Sequence, residues 1–515
     1  MVQMQRRLSL FSLVMAVVTS TIGSGWLFAP YLTAQLAGPA SLFSWLAGGA
    51  MAFLIALVFA ELGALVSSSG ALAQIPLLTH GRTSGFVGGW AAWLGYVALP
   101  AIEVLATVQY LGSSLPWLIR GGGSAGLSNW GIGLASLLLL LFGWINLAGV
   151  AALARWIDGL TVWKLLVPLG VSLVLILGSA HGGNLQVGGY QARGVLDALS
   201  TGGILFSLLG FRTAMDLAGE AKNPQRDVPL AMGIGLAISL LIYLLLQLAF
   251  LLAVPPPLLV QGWGRLQLTA HGGPLVAVAL GLGLSGLATL LITDAVVSPS
   301  ATAMAYMGTA ARVNWMLARC RLLPAPFSHI NRAGVPSVAL AATVLIGLVL
   351  LQGGPSWPKA VGFVTAALVI SLAMGPISLE ALRRQAPTVH RPYRLPAAPW
   401  LCPLAFVLST WAIFWCGWGS LQLAVPLILL PSLGYLLVCG AGGVEFRAGA
   451  WWFLYLGGIT FASYLFGSGR PYELDQGSQL FLLSVFALLV FPMGVNSRLP
   501  QLSPHAMVEL GGQQP

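Results

Sequence analysis

Long apolar segments alternate with short polar loops along the whole chain. A helix that crosses the hydrocarbon core of a bilayer needs about 20 predominantly apolar residues. Stretches of roughly that length lie at about 8–33, 40–65, 85–114, 130–150, 158–180, 198–218, 229–254, 273–300, 336–353, 360–381, 400–419, 421–440, 450–467 and 478–496. The pattern therefore predicts an all-α integral membrane protein with about fourteen transmembrane helices.

A glycine-rich sequence interrupts the first of these spans about halfway along. Residues 20–30 read Ser-Thr-Ile-Gly-Ser-Gly-Trp-Leu-Phe-Ala-Pro, and backbone can leave a helix inside a bilayer only where protein or a water-filled cavity receives its polar groups. The half-helix that begins near Trp26 would direct free N–H groups at an anion, such as a substrate carboxylate. The alternative is that glycine and serine let two straight helices pack closely.

Span 6 contains a second interruption, within the glycine-containing sequence from Ser200 to Glu220. Breaks in spans 1 and 6 are what two inverted repeats of five helices produce, with a binding site between them near the bilayer midplane. The two halves share no clear sequence identity, so the repeat is inferred from the positions of the breaks.

Charged residues are scarce and unevenly distributed, which indicates an orientation. The chain is 57% hydrophobic and 7% charged, with a net charge of +10. If the N-terminus is cytoplasmic, sixteen Lys and Arg residues fall on the cytoplasmic side and five on the other, the bias expected of cytoplasmic loops. We therefore expect a multi-pass protein of the inner (plasma) membrane with both termini in the cytoplasm. No soluble basic face for nucleic acid is visible, and no metal-ligand spacing or nucleotide motif suggests a cofactor.

Several charged residues fall inside the predicted spans, where charge is costly and usually serves a function. They include Glu61, Glu103, Lys164, Arg212, Asp216 and Asp294. Glu61 lies near the end of span 2, where we expect a structural role. The others are candidates for the chemistry of the protein.

A set of short motifs resembles those of the amino acid–polyamine–organocation permeases. The sequences Ile22-Gly-Ser-Gly-Trp26, Gly210-Phe211 and Glu220-Ala-Lys-Asn-Pro-Gln-Arg-Asp-Val-Pro-Leu-Ala231 occur in the order expected of that family. Further matches are Ala60-Glu-Leu-Gly63, Ser69-Gly70, Ala311-Arg312 and Leu322-Leu-Pro324, and the resemblance covers most of residues 8–440. Residues 288–299 and the two extra C-terminal spans are similar to the bacterial aspartate–proton symporter branch.

The resemblance implies a five-plus-five inverted-repeat transporter core in which helices 1 and 6 are discontinuous. On this basis we assign residues 1–355 to the transport core, with helices 1–5 at about 8–180 and helices 6–9 at about 198–353. Helices 10–12 occupy 356–440, two extra helices occupy 441–497, and 498–515 is expected to be a disordered cytoplasmic tail.

In this family the substrate carboxylate lies on the span-1 break, and the ammonium group lies near backbone carbonyls of spans 1 and 6. A zwitterion needs donors at one end and acceptors at the other, which two half-helix breaks supply. The matching substrate-binding positions are Ile22, Gly23, Ser24, Gly25, Trp26, Phe206, Leu209, Gly210 and Phe211.

Arg212 departs from the family pattern, because the matching residue of arginine-exchanging relatives is acidic. A guanidinium there can bind a second carboxylate through two parallel hydrogen bonds, which favours aspartate or glutamate as the substrate. The alternative is a structural role, in which Arg212 pairs permanently with Asp216, one turn further on, or with Glu103.

Lys164 resembles the lysine that some proton-coupled relatives carry where sodium-driven ones bind a metal ion. An ammonium group can replace the charge of the ion and release a proton during the cycle, which favours proton coupling. The alternative is that Lys164 extends towards the nearby membrane surface. Glu103 and Asp294 are further candidates for proton coupling, or for ion pairs with Lys164 and Arg212.

These observations together predict a secondary active amino acid transporter, and no catalytic constellation of an enzyme is visible. The preferred interpretation is proton-coupled symport of an acidic amino acid by alternating access, in which spans 1 and 6 move relative to spans 3, 4, 8 and 9. The alternatives are an exchanger or a neutral amino acid permease with a structural Arg212, and a membrane amino acid sensor. The expected partners are the amino acid, protons and membrane lipid. The oligomeric state is not determined by the sequence.

Overall fold

The computed structural model describes residues 6–112, 114–120, 126–188, 192–268, 273–352, 357–439 and 443–502. Nineteen α-helices lie in these ranges. They are α1 Leu10–Thr21, α2 Gly25–Ala37, α3 Ser41–Leu65, α4 Ala71–Leu111, α5 Asn129–Leu147, α6 Val150–Ser179, α7 Ala192–Ser200, α8 Ile204–Leu208, α9 Thr213–Asp216, α10 Pro224–Ala253, α11 Pro274–Gly281, α12 Ser285–Arg319, α13 Ser337–Gln352, α14 Trp357–Gln385, α15 Ala398–Trp415, α16 Gly417–Cys439, α17 Gly443–Gly449, α18 Trp451–Phe466 and α19 Gln476–Asn496.

Many of the longer helices are predominantly apolar, as the sequence predicts for a membrane protein. In the described ranges, ten helices are long and apolar enough to cross a bilayer, and a bent pair in 193–216 adds an eleventh. Two shorter apolar helices, α1 and α13, do not reach that length. The all-helical membrane architecture is therefore confirmed, whereas the total of about fourteen spans stays a prediction.

The chain leaves the helix between α1 and α2. The helix α1 ends at Thr21 and α2 begins at Gly25, so three residues separate them. Near the second predicted interruption, the segments 193–200 and 204–216 meet at 56°. Gly203 has a φ of +83° there, a conformation that glycine adopts without strain. The sequence places this interruption within 200–220, and the family motif Gly210-Phe211 lies in a 3₁₀ turn over Leu209–Arg212.

Gly210 allows the two interrupted segments to come into direct contact. A β-carbon at this position would lie 2.5 Å from the backbone nitrogen of Thr21 and 2.7 Å from the carbonyl carbon of Ser20. Neither backbone atom can move aside without shifting α1. Gly210 is therefore needed for close approach rather than for an unusual φ.

The helix α4 lies at the centre of the bundle and packs along α12 and α14. On another side, α10 packs against α1, α3 and α6. These contacts place the break between α1 and α2 inside the protein, where side chains of α4, α10 and α12 reach its backbone.

The last two helices are attached to the core by contacts of α19 and of the segment after it. The helix α19 packs on α14 and α15, and α18 packs on α16. His80 Nε2 on α4 donates to the Gly494 carbonyl at 2.8 Å, and Leu499 N donates to the Thr79 carbonyl at 2.9 Å. The assignment of the four regions of the chain stays a prediction, and most of the predicted tail, residues 503–515, lies outside the described residues.

Candidate functional site

The break between α1 and α2 holds a carboxylate of the protein itself. The backbone N–H of Ser24 donates to Glu103 Oε2 at 2.8 Å, and Glu103 is buried on α4. A β-carbon at Gly23 would lie 2.7 Å from Glu103 Oε1, so glycine permits this approach. The start of α2 therefore binds an anion, as the free N–H groups and dipole of a helix N-terminus favour.

On the other side of the break, the last carbonyls of α1 receive donors from neighbouring helices. A helix leaves its final four carbonyls without partners inside the helix. Tyr306 Oη donates to the Ser20 carbonyl at 2.7 Å, and Tyr243 Oη donates to the Thr21 carbonyl at 2.9 Å. The end of α1 thus offers a group of acceptors beside the anion-binding start of α2.

Lys164 on α6 directs its ammonium group at the same end of α1. Its Nζ donates to the Thr19 carbonyl at 2.8 Å and to Thr302 Oγ1 at 2.5 Å. Lys164 is fully buried, and the negative end of a helix dipole favours a cation there. The ammonium points into the protein, so extension towards the membrane surface does not describe this structure.

The acidic candidates near Lys164 do not form close ion pairs with it. Among the described residues, no carboxylate oxygen of Glu103 or Asp294 lies within 4.0 Å of Nζ. Asp294 Oδ1 instead accepts a hydrogen bond from Trp163 Nε1 at 2.6 Å. All three side chains are buried, where charges are weakly screened and act on one another over longer distances than in water.

Arg212 lies in the 3₁₀ turn that contacts α1, and its side chain is buried. Its Nε donates to the Leu209 carbonyl at 3.2 Å, and its Nη1 lies 3.4 Å from Ser371 Oγ on α14. The guanidinium carbon lies 4.7 Å from the centre of the Tyr96 ring. Its Nη2 has no hydrogen-bond partner within the described part of the chain.

Neither predicted acidic partner is paired with Arg212. Within the described ranges, no carboxylate oxygen of Asp216 or Glu103 comes within 4.0 Å of its guanidinium. Asp216 instead accepts a hydrogen bond from the hydroxyl of Tyr96. Permanent ion pairing of Arg212 therefore does not describe this conformation. A buried cation without an anionic partner is costly, so the position is suited to an anionic ligand.

All ten predicted substrate-binding residues are buried and lie on the two interrupted segments. They are Ile22, Gly23, Ser24, Gly25, Trp26, Phe206, Leu209, Gly210, Phe211 and Arg212. Two close approaches bring the segments together, one between Gly25 and Ser207 and the other between Gly210 and Thr21. The site is therefore enclosed by protein.

An aromatic cluster from α2, α8 and α14 covers the break. The Trp357 ring stacks on Phe28 with centroids 4.7 Å apart and meets Phe206 edge-on at 5.9 Å. Trp357 Nε1 also donates to Ser24 Oγ at 3.0 Å. This contact joins the start of α14 to the backbone that binds Glu103.

The sequence interpretation missed several polar residues of the site because it considered only charged residues inside spans. They are Tyr96, Tyr243, Thr302, Tyr306 and Trp357. A hydroxyl or indole N–H in the apolar interior also needs a partner. Extending the search to mid-span tyrosines and threonines selects the first four of these residues.

Two buried ion-pair clusters lie at the end of the bundle where α1 begins. Arg312 Nε on α12 lies 2.6 Å from Glu220 Oε1, and Glu220 is the last residue of the 3₁₀ turn Ala218–Glu220 that follows α9. Glu61 on α3 contacts Arg383 Nη2 at 2.5 Å and Arg391 Nε at 3.6 Å. The motif residues Glu220 and Arg312 are therefore partners, and Glu61 has the structural surroundings expected of it.

No group of three or more His, Cys, Asp or Glu side chains that could hold a metal ion occurs in the described residues. The site instead combines a backbone donor before α2, carbonyl acceptors at the end of α1 and the buried guanidinium of Arg212. A family model described as amino acid permease matches residues 8–438. The chain belongs to this family. It is therefore a multi-pass membrane transporter of amino acids and not an enzyme.

Two relatives of this permease from Bacillus subtilis (strain 168) match nearly the whole chain. The glutamate/serine transporter AimA is 32% identical over 517 residues, which cover 96% of this chain and 94% of that protein. The aspartate-proton symporter is 33% identical over 512 residues, which cover 96% of this chain and 97% of that protein. The predicted family, and its similarity to the aspartate–proton symporter branch, are confirmed.

A solved structure supports the inverted-repeat transporter fold. Mhp1, a nucleobase-cation-symport-1 family transporter in a closed conformation with bromovinylhydantoin bound, superimposes with a TM-score of 0.52 at 14% identity. The match covers 87% of this chain and 97% of Mhp1. At this identity the likeness concerns the fold alone.

Proposed function

We propose that this permease is a proton-coupled symporter of an acidic amino acid, aspartate or glutamate. The observation that carries the proposal is the buried guanidinium of Arg212, which has no carboxylate partner within 4.0 Å among the described residues. A second carboxylate on the substrate supplies the missing anion. The names of the two Bacillus relatives agree with an acidic substrate.

The three charged groups of the substrate match three positions of the site. Its α-carboxylate takes the place of the Glu103 carboxylate at the backbone N–H of Ser24. That N–H donates to Glu103 Oε2 at 2.8 Å in the structure. Its ammonium lies near the carbonyls at the end of α1 and at the 3₁₀ turn of Leu209–Arg212. Its side-chain carboxylate binds Arg212, whose fork of N–H donors suits bidentate recognition.

Proton coupling is assigned to Lys164, with Glu103 and Asp294 as its electrostatic partners. The ammonium of Lys164 binds the Thr19 carbonyl of α1 and Thr302 of α12. These two helices belong to the two groups of spans that move relative to each other in alternating access. Loss of the proton weakens both contacts, because a neutral amine is a poorer donor than an ammonium. Protonation therefore stabilises one arrangement of α1 against α12.

The proposed orientation places both termini in the cytoplasm, as the excess of Lys and Arg in the corresponding loops favours. The ion pair between Glu220 and Arg312 then lies on the cytoplasmic side. It joins the segment after α9 to α12.

The direct test is uptake of radiolabelled aspartate into proteoliposomes under an imposed inward proton gradient, with sodium absent. Unlabelled acidic, neutral and cationic amino acids serve as competitors. Accumulation that acidic amino acids block much more strongly than neutral or cationic ones supports the proposal. Carriage of a neutral amino acid instead, serine for example, would leave the family in place and make Arg212 structural. Binding without accumulation would support the sensor alternative.

Replacing Arg212 with alanine tests the recognition of the side-chain carboxylate. A charge-assisted hydrogen bond contributes about 1.5–3 kcal/mol, so the net loss of one such bond would raise the KM for aspartate by at least about tenfold to a hundredfold. The KM for a neutral analogue should change little. The measurement is the ratio of aspartate to serine uptake in the same proteoliposomes.

The control for this substitution is Arg193→Ala, because Arg193 is 61% exposed and pairs with Glu473 away from the site. It should leave the aspartate-to-serine ratio unchanged. An equal loss of both substrates in Arg212→Ala would contradict the recognition role.

A further inference from the structure

Arg212 and Asp216 are close in sequence, oppositely charged and both buried, yet they are not paired. They lie four residues apart along one helical segment, a spacing that brings side chains within reach of each other. Their exposed fractions are 1% and 0%. Opposite charges attract strongly at low dielectric, so a third group must hold these two side chains apart.

Tyr96 on α4 is that third group, because it contacts both charges with different parts of its side chain. Its hydroxyl donates to Asp216 Oδ2. The face of its ring lies against the guanidinium of Arg212, with 4.7 Å between the guanidinium carbon and the ring centre. The first contact satisfies an anion through a hydrogen bond, and the second satisfies a cation through the electron-rich face of the ring.

Within the part of the chain that is described, Arg212 and Asp216 each keep one unsatisfied polar atom, a donor on the first and an acceptor on the second. Arg212 Nη2 and Asp216 Oδ1 are both without a hydrogen-bond partner among the residues described here. If the carboxylate turned towards the guanidinium, both atoms would be satisfied at once. The hydroxyl of Tyr96 opposes that rotation.

We propose that Tyr96 is a positioning residue that holds Asp216 away from Arg212 and so keeps the guanidinium available for the side-chain carboxylate of the substrate. This inference rests on the proposed function, since it concerns the recognition of an acidic amino acid. It adds a selectivity role for a residue that touches Arg212 and Asp216. Neutral substrates have no side-chain carboxylate to bind Arg212, so their transport should not depend on whether Arg212 is paired with Asp216.

The test is a cycle of three variants, Tyr96→Phe, Asp216→Asn and the double variant, measured by competitive uptake of aspartate and serine. Tyr96→Phe keeps the ring and removes the hydroxyl, so Asp216 is free to pair with Arg212. We expect the aspartate-to-serine ratio to fall about tenfold. Asp216→Asn removes the negative charge that competes with the substrate for Arg212, and it should leave the aspartate-to-serine ratio unchanged. The double variant should therefore return to within about threefold of the unaltered protein.

The matched control is Tyr306→Phe. Tyr306 lies beside Tyr96, with ring centroids 5.8 Å apart, but its hydroxyl binds the Ser20 carbonyl. Loss of the Tyr306 hydroxyl should change the uptake of aspartate and of serine to the same extent. A general packing defect in Tyr96→Phe would behave in the same way, and Asp216→Asn would not rescue it.

Several outcomes overturn the inference. An unchanged ratio in Tyr96→Phe, a double variant no better than Tyr96→Phe, or loss of selectivity in Asp216→Asn alone would each do so. If Arg212→Ala lowers the ratio while the cycle fails, the proposed function stands and only the role of Tyr96 is wrong. If the unaltered protein carries neither aspartate nor glutamate, both are overturned.

Discussion

Lys164→Ala is expected to abolish uphill accumulation of aspartate under a proton gradient while leaving exchange between internal and external aspartate measurable. The substitution removes the ammonium that joins the Thr19 carbonyl to Thr302 Oγ1. Without it, no change of protonation at this position alters the contact between α1 and α12. We expect accumulation to fall by at least about tenfold, which corresponds to about 1.4 kcal/mol of lost coupling.

The measurement is the steady-state ratio of internal to external aspartate as the imposed proton gradient is varied. Lys164→Gln separates charge from hydrogen bonding, because an amide donates to the same oxygens but does not titrate between pH 5 and 9. It should also lose accumulation. Lys359→Ala, at an exposed position, is the control. An unchanged pH dependence in Lys164→Ala would contradict the coupling role.

Arg312→Ala is expected to have the largest effect on stability. Arg312 and Glu220 form a buried pair, with side chains 9% and 4% exposed and the nearest atoms 2.6 Å apart. Removing one partner of a buried ion pair leaves an uncompensated charge and costs about 3–5 kcal/mol. The substitution should therefore lower the midpoint of thermal unfolding of the purified protein in detergent and reduce uptake.

The exchanged pair Arg312→Glu/Glu220→Arg provides a second measurement. It restores opposite charges across the same contact and should recover part of the lost stability. Arg193→Ala breaks a pair in which Arg193 is 61% exposed, and such pairs contribute about 1 kcal/mol or less. Equal effects of Arg312→Ala and Arg193→Ala on the unfolding midpoint would show that the buried pair is not important for stability.

The two glycine-rich interruptions show how far sequence reasoning reached. At residues 23–25 the glycines and serine fall where α1 has ended and α2 begins. In the second segment, Gly203 takes the positive φ and Gly210 provides close contact with α1. Glycine serves both purposes equally well, because it lacks a β-carbon. The sequence therefore could not tell which glycine marks the bend.

The charged residues inside the spans were visible from the sequence because charge is rare in a bilayer. Their partners were not. The spacing of Arg212 and Asp216 favours a pair within one helix, yet Tyr96, which is distant in sequence, takes the carboxylate. Likewise, the ammonium of Lys164 binds a carbonyl of α1 and a hydroxyl of α12 rather than a carboxylate.

The sequence by itself determined that this protein is a helical membrane transporter of the amino acid permease family, with candidate charges at Lys164 and Arg212. The membrane class followed because a bilayer imposes length and polarity on each span separately, and the family followed from the resemblance of the short motifs at 22–26, 210–211 and 220–231. Only the tertiary structure decided which groups meet at the site: Glu103 on Ser24, Lys164 on Thr19 and Tyr96 between Arg212 and Asp216. These contacts depend on how helices distant in sequence are rotated and packed, which no local pattern specifies.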